Sequence, residues 1–420
     1  MTDGALAALR AGDLAAARRL VDDSLAKAPA DARALHLSGE IAARAGDLDR
    51  SLADLATAAD LSGTPDVLAS LARTHWRRGD ANAGATVSAR ALAAAPGYLP
   101  AALVAAFCAS AGGDAAGARR LLAGAGLRDA DPARIEFAFQ ALADNAREGR
   151  RAFAAPASPL PPAAPLTLTV VACSVTDEKL ARCRAALEAS LAPGFEWLAI
   201  RDARSLAEAY NRALAVAKGE AIVFLHDDVE VVSPRLDALL ARALARVDVV
   251  GVAGTRRLAG PTLGWAGQDA MEGWLVHTDA TGAPWDFSLL ALRGGLRSGL
   301  EALDGCFLAA RTASARRIGF DERTFDGFHF YDLDFGLRAR RAGLAVAVDT
   351  DILVRHASRG ALGPDWQAQA GRFVAKFAPM ATEPAKPNHF HAARLGHREA
   401  ALALHDELNG FCAALGTREA

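Results

Sequence analysis

Hydrophobic positions along this chain fall into two regimes. In the first third, small apolar residues recur around a repeated dipeptide, with Gly-Asp at Gly12-Asp13, Gly46-Asp47, Gly79-Asp80 and Gly113-Asp114, a step of 33 or 34 residues. That period predicts paired helices. Seven residues before each glycine stands Ala5, Gly39, Ala72 or Ala106, and five after it Ala17, Ser51, Gly84 or Ala118. Small side chains in register let two helices approach closely. Pro29 and Pro96, seventeen residues after their glycines, fall where the second helix of a pair should stop. The unit reads as helix, Gly-Asp turn, helix, break, and Ile135 to Arg151 reads as a closing helix.

From Leu166 the pattern changes to short apolar runs alternating with helical stretches: LTLTVVACSV, a helix through Arg184 and Leu187, FEWLAI, a helix from Ala209 to Ala217, then AIVFL. Alternation of this kind predicts an α/β domain with a mostly parallel, Rossmann-like sheet. Between the regimes AAPASPLPPAAP cannot continue a helix and reads as a semi-rigid linker. The expected organisation is a helical repeat domain over 1–150, a Pro/Ala-rich linker over 151–165, an α/β domain over 166–380, and a tail over 381–420 with a helix near His397 to Ala414.

At 420 residues two or three domains are expected. Lysine plus arginine (47) nearly cancels aspartate plus glutamate (49), and no long basic run argues for a nucleic-acid partner. Five widely spaced cysteines, at 108, 173, 183, 306 and 412, show neither CxxC nor Cys/His zinc spacing and read as reduced thiols. No stretch reaches the roughly 18 apolar residues a membrane span needs, and a cytoplasmic protein is expected.

The candidate chemistry begins at Val223 to Val231, VFLHDDVEV, where an apolar run ends in adjacent carboxylates. A buried parallel strand would deliver His226, Asp227 and Asp228 to the edge where α/β sheets bind ligands. Oxygen ligands there suit Mg²⁺ or Mn²⁺ bridging to substrate phosphates. The competing reading is a turn or helix cap, with Ser233-Pro234 as a helix start.

Three further segments join this pair: Leu303 to Arg311 with Asp304-Gly305-Cys306, GFHFYDLDFGLRARRAGL over 327–344, and Leu353 to Ser358 with His356. Together with YNRALAVAKGEAIVFLHDDVE they resemble, in order and over roughly residues 168–378, the inverting family 2 glycosyltransferases of the GT-A fold, closest to the branch whose metal motif reads His-x-Asp. The first third similarly resembles the tetratricopeptide repeat, without most of its large aromatic positions.

The resemblance implies a nucleotide-diphospho-sugar donor and a divalent ion, Mn²⁺ or Mg²⁺, held by Asp228 with His356 as a second contact; an imidazole suits Mn²⁺ better. It implies Asp332, in Tyr331-Asp332-Leu333-Asp334, as the base that takes the acceptor proton. It implies Ser174, Asp202, Asn211 and Asp227 toward the nucleotide, and Asp304 and Gly305 under the donor sugar. Tyr331 stands where a Glu is usual, and His329 is placed to compensate. Trp265 is an acceptor candidate. The corresponding function is metal-dependent sugar transfer to an acceptor hydroxyl, with residues 1–150 recruiting a protein acceptor. The alternatives are the same chemistry on a surface or lipid-linked glycan, or a non-catalytic scaffold.

Overall fold

The Gly-Asp dipeptide works through two elementary devices. Gly12, Gly46, Gly79 and Gly113 all take φ between +81° and +87°, the left-handed region open to a residue without a Cβ. The aspartate that follows each glycine caps the next helix: Asp13, Asp47, Asp80 and Asp114 accept from the backbone N–H of Ala16, Arg50, Ala83 and Gly117 at 2.8, 3.0, 2.9 and 2.7 Å.

The computed structural model describes residues 2–127, 131–153, 166–279, 281–358, 363–381, 384 and 391–419. The chain divides into two compact units, residues 1–154 with 414–416 and residues 155–413 with 417–420. Most of the expected linker, 154–165, lies outside the described residues.

In the first unit four helix pairs follow one another: Thr2–Arg10 with Leu14–Lys27, Ala32–Arg44 with Leu48–Leu61, Pro65–Arg77 with Ala81–Ala94, and Leu99–Ala111 with Ala115–Gly124. Helix Pro132–Arg147 closes the series, with Trp76 Nε1 donating to its Asn145 at 2.8 Å. The small residues of the repeat sit where the helices cross. Ala5, Ala17, Ala72, Ala106 and Ala118 are fully buried, and a Cβ on Gly39 would lie 2.5 Å from Leu55.

Among the described residues the second unit holds two sheets. The first orders its strands Glu196–Ile200, Leu168–Cys173, Ala221–His226, Phe307–Arg311, Val249–Gly251, Val346–Asp349 and Leu296–Ser298. Phe307–Arg311 and Leu296–Ser298 run antiparallel to their neighbours and the other pairings are parallel. Ala221 to Leu225 are wholly buried, as a central strand requires.

The sequence pattern did not delineate the second sheet. Val229–Val231, Val354–His356, Met271–His277, Ala253–Thr255 and Ala302–Leu303 lie side by side, with Trp285–Leu289 on Met271–His277 and His391–Leu395 on Trp285–Leu289. Several of these strands have two or three residues, too few to show a period. Residues beyond 380 thus contribute a strand, and helix Arg398–Leu415 buries Leu404, Leu408 and Phe411. All five cysteines are free. Among the described residues no helix is long and apolar enough to cross a membrane.

Candidate functional site

The site is assembled by strand pairing. Strand Ala221–His226 ends beside Cys173 of its parallel neighbour. On its other side Phe307–Arg311 runs antiparallel and starts at the same edge, with Phe307 opposite Leu225, and His226 N–H donates to the Cys306 carbonyl at 3.2 Å. Asp304 and Gly305 therefore stand next to His226. The Asp pair is a turn between Ala221–His226 and Val229–Val231, not a helix cap. Val229 pairs with His356, and Ala357 N–H donates to the Asp228 carbonyl at 3.0 Å.

Helix Tyr331–Arg341 brings the last members. Phe330, just before it, adopts φ 66°, a left-handed conformation that is uncommon and costly for a bulky residue. Packing of its ring 5.3 Å from those of Trp366 and Phe373 holds it there. The bend turns the helix start toward Gly305. Asp332 Oδ2 accepts from Gly305 N–H at 2.8 Å and Oδ1 from Leu333 N–H at 2.8 Å. A Cβ on Gly305 would meet the Tyr331 oxygen at 2.1 Å and the Asp332 Cβ at 2.8 Å, so the close approach that requires glycine is made by the chain's own side chains. Tyr331 Oη lies 3.0 Å from the Gly305 carbonyl and 2.6 Å from His226 Nε2.

His226, Asp228 and His356 place one ligand atom each within 4.8 Å of one another. His226 Nδ1 is 3.5 Å from His356 Nε2, which is 3.3 Å from Asp228 Oδ1. Separations near ~3.4 Å are those of neighbouring ligands bound at ~2.1 Å around a tetrahedral ion. Two imidazoles and a carboxylate suit Mn²⁺ or Zn²⁺ better than Mg²⁺. His226, the first residue of the His-x-Asp motif, joins the two ligand candidates read from the sequence.

The electrostatics separate two carboxylates. Burial pushes Asp332 up, the neighbouring Asp304 adds to it, and the group reaches about 7. At Asp304 burial acts in the same sense but is outweighed by His356, the Cys306 amide and His226, leaving that carboxyl below its ordinary value. Asp228 is held well below the usual carboxylate range, since the bond and charge of His356 overcome burial. His356 shifts up in return, against burial. Burial first and His356 second push His226 down to about 4, so it is neutral near pH 7. Carboxylates pushed in opposite directions within one site mark distinct acid–base roles.

A cavity of about 780 Å³ opens beside this group, reached by His226, Asp304, Tyr331, Asp332 and His356. Its far wall is largely apolar, with Leu263, Met271, Leu275, Leu290, Phe330 and Trp366, and its polar groups include His277, Ser288 and His329. His277 and Ser288 come from the second sheet and carried no signal in the sequence; their side chains lie 3.2 Å apart.

The remaining expected residues lie elsewhere. Ser174 donates to Asp227, which also receives Lys179 Nζ at 3.3 Å. Neither lines the cavity. Asp202, with 77 % of its side chain exposed, pairs with Arg212 at 2.8 Å. Asn211 uses both ends of its amide on the Phe320 backbone, at 2.9 and 2.8 Å, and so anchors the loop ahead of Tyr331. Asp334 is wholly buried between Arg338 and Lys376. Trp265 packs on Gly260 and is not part of the cavity wall.

Comparison with known proteins gives one family: a glycosyltransferase-like family matches residues 169–366. No curated protein matches. Among solved structures, a tetratricopeptide repeat protein from Parabacteroides merdae is 16% identical over 35% of this chain and 60% of its own, with a TM-score of 0.29. The chain thus spans less than two thirds of that protein. A thermophilic TPR protein of Thermus thermophilus is 20% identical over 33% and 76%, with a TM-score of 0.29. A mutant O-GlcNAc transferase of Thermobaculum terrenum is 20% identical over 47% and 36%, with a TM-score of 0.26. Scores this low leave the repeat architecture resting on the helix pairs themselves.

Proposed function

We propose that this chain, whose residues 169–366 match a glycosyltransferase-like family and which carries a helical repeat unit, is a glycosyltransferase of the family 2 kind that moves a sugar from a nucleotide-diphosphate donor to an acceptor hydroxyl with inversion, in a metal-dependent reaction. The observation that carries this reading is that His226, His356 and Asp332 line one cavity, with Asp228 grouped beside the two histidines.

A divalent ion held by these three side chains would neutralise charge on the departing diphosphate. His226 suits that role because it is neutral near pH 7. Asp332 takes the proton of the acceptor hydroxyl as its oxygen forms a bond to the anomeric carbon and the bond to the diphosphate breaks. A base near 7 is matched to that task at neutral pH. Gly305 N–H and Leu333 N–H hold its two oxygens in place. Asp304, kept ionised beside it, faces the cavity where the sugar would lie.

Ser174, Asp227 and Asp202 are proposed to face the nucleotide, Asp202 by opening its exposed pair with Arg212. Asn211 is left out because its amide is fully engaged. A cavity of about 780 Å³ admits a sugar and part of an acceptor. The acceptor is proposed to be a protein segment recruited by the repeats, an assignment supported by the helix-pair architecture.

The test is release of nucleoside diphosphate from a panel of nucleotide sugars with Mn²⁺. Release with one donor, abolished in Asp228→Ala and reduced about 10²- to 10⁴-fold in Asp332→Asn, supports the reading. A folded chain that neither binds nor turns over any donor contradicts it.

A further inference from the structure

We infer that Tyr331 is a positioning residue that fixes the tautomer of His226, keeping the proton on Nε2 and turning the Nδ1 lone pair toward Asp228 and His356. This rests on the metal reading above, and it follows from counting donors and acceptors.

A tyrosine hydroxyl carries one proton. Tyr331 Oη lies 3.0 Å from the Gly305 carbonyl and 2.6 Å from His226 Nε2, with the Tyr210 hydroxyl, itself a donor to the Leu225 carbonyl, as a further neighbour. A carbonyl oxygen only accepts, so the phenol proton goes to Gly305, and His226 Nε2 must then be the donor to the phenol oxygen. At the opposite end of the imidazole His226 Nδ1 faces His356 Nε2 at 3.5 Å, a nitrogen that also lies 3.0 Å from Ser358 Oγ and 3.3 Å from Asp228 Oδ1. The phenol end places the proton on Nε2, and that leaves on Nδ1 the lone pair a metal ligand must offer.

The arrangement is built rather than incidental. Tyr331 is 2 % exposed, and its ring stands edge-on to Tyr210 at 5.5 Å. The hydroxyl reaches the backbone only because residue 305 has no Cβ, which would lie 2.1 Å from it.

The test uses the full chain with its histidine rings labelled with ¹⁵N. Two-bond ¹H–¹⁵N correlation spectra of the metal-free protein read the tautomer, the His226 signals being assigned by their loss in His226→Gln. The expected result is Nε2–H with an unprotonated Nδ1 in the native chain and a mixture of tautomers in Tyr331→Phe. Calorimetric titration with Mn²⁺ should show binding by the native chain and a 10- to 100-fold weaker dissociation constant in Tyr331→Phe, the range for loss of a group that orients a ligand. A native chain with the proton on Nδ1, or a Tyr331→Phe chain with native tautomer and native Mn²⁺ affinity, overturns the inference. If Tyr331→Phe does not fold, as read by circular dichroism, the native spectrum still decides. A native chain with the Nε2–H form that takes up no Mn²⁺ overturns the metal reading, and the purpose of the tyrosine with it; the two failures are told apart because the tautomer is measured without metal.

Discussion

Replacing Asp332 with asparagine should stabilise the metal-free protein at pH 8 while impairing transfer. The carboxyl is raised from an ordinary 3.8 to about 7. Between those values the folded state binds a proton that the unfolded state releases, so stability falls as pH rises through the window. At ~1.36 kcal/mol per pH unit the full interval amounts to about 4 kcal/mol above pH 7. Asp332 opens on the cavity, where water screens its charge, so about 1–3 kcal/mol is the expected measured effect. Asparagine resembles the protonated acid, one oxygen accepting and the other position donating, and removes the charge at every pH. Urea melts in the presence of a chelator should show Asp332→Asn matching the native chain at pH 4 and exceeding it by about 1–3 kcal/mol at pH 8. Melts that coincide at both pH values, or a variant less stable at pH 8, would refute the raised carboxyl and the base assignment built on it.

The same titration predicts a rate profile: kcat/KM should fall about tenfold per pH unit on the acid side of about 7, where Asp332 is protonated. Gly305→Ala puts a Cβ 2.1 Å from the Tyr331 oxygen; a loss of about 1–3 kcal/mol in urea melts and a drop in kcat are expected, with the repeat unit unaffected. Asp47→Ala removes the cap at Arg50 N–H and should lower the stability of the first unit by about 1 kcal/mol, read by thermal melting, with donor turnover by the second unit unchanged.

The repeats were legible because their chemistry is local: a left-handed glycine and a capping aspartate act within a few residues of themselves. Asp228, Asp304, Asp332 and His356 were legible as motif positions; strand pairing brings Asp228, Asp304 and His356 to one edge, and the start of helix Tyr331–Arg341 brings Asp332 there. Tyr331 read as a departure, and its bond to His226 spans 105 residues of sequence, which no local pattern encodes. Asn211 carried a true signal, a poor helix former in mid-helix, but its partner is the Phe320 backbone 109 residues away. The second sheet escaped because strands as short as Ala302–Leu303 and Val354–His356 owe their form to neighbours distant in sequence.

The most direct measurement is anomalous diffraction at the manganese edge from crystals grown with Mn²⁺ and a nucleoside diphosphate. One peak is expected within bonding distance of His226, Asp228 and His356, with the diphosphate completing the coordination and Asp332 across the sugar space. A nucleotide bound without manganese among those three side chains, or manganese bound elsewhere, would contradict the metal reading.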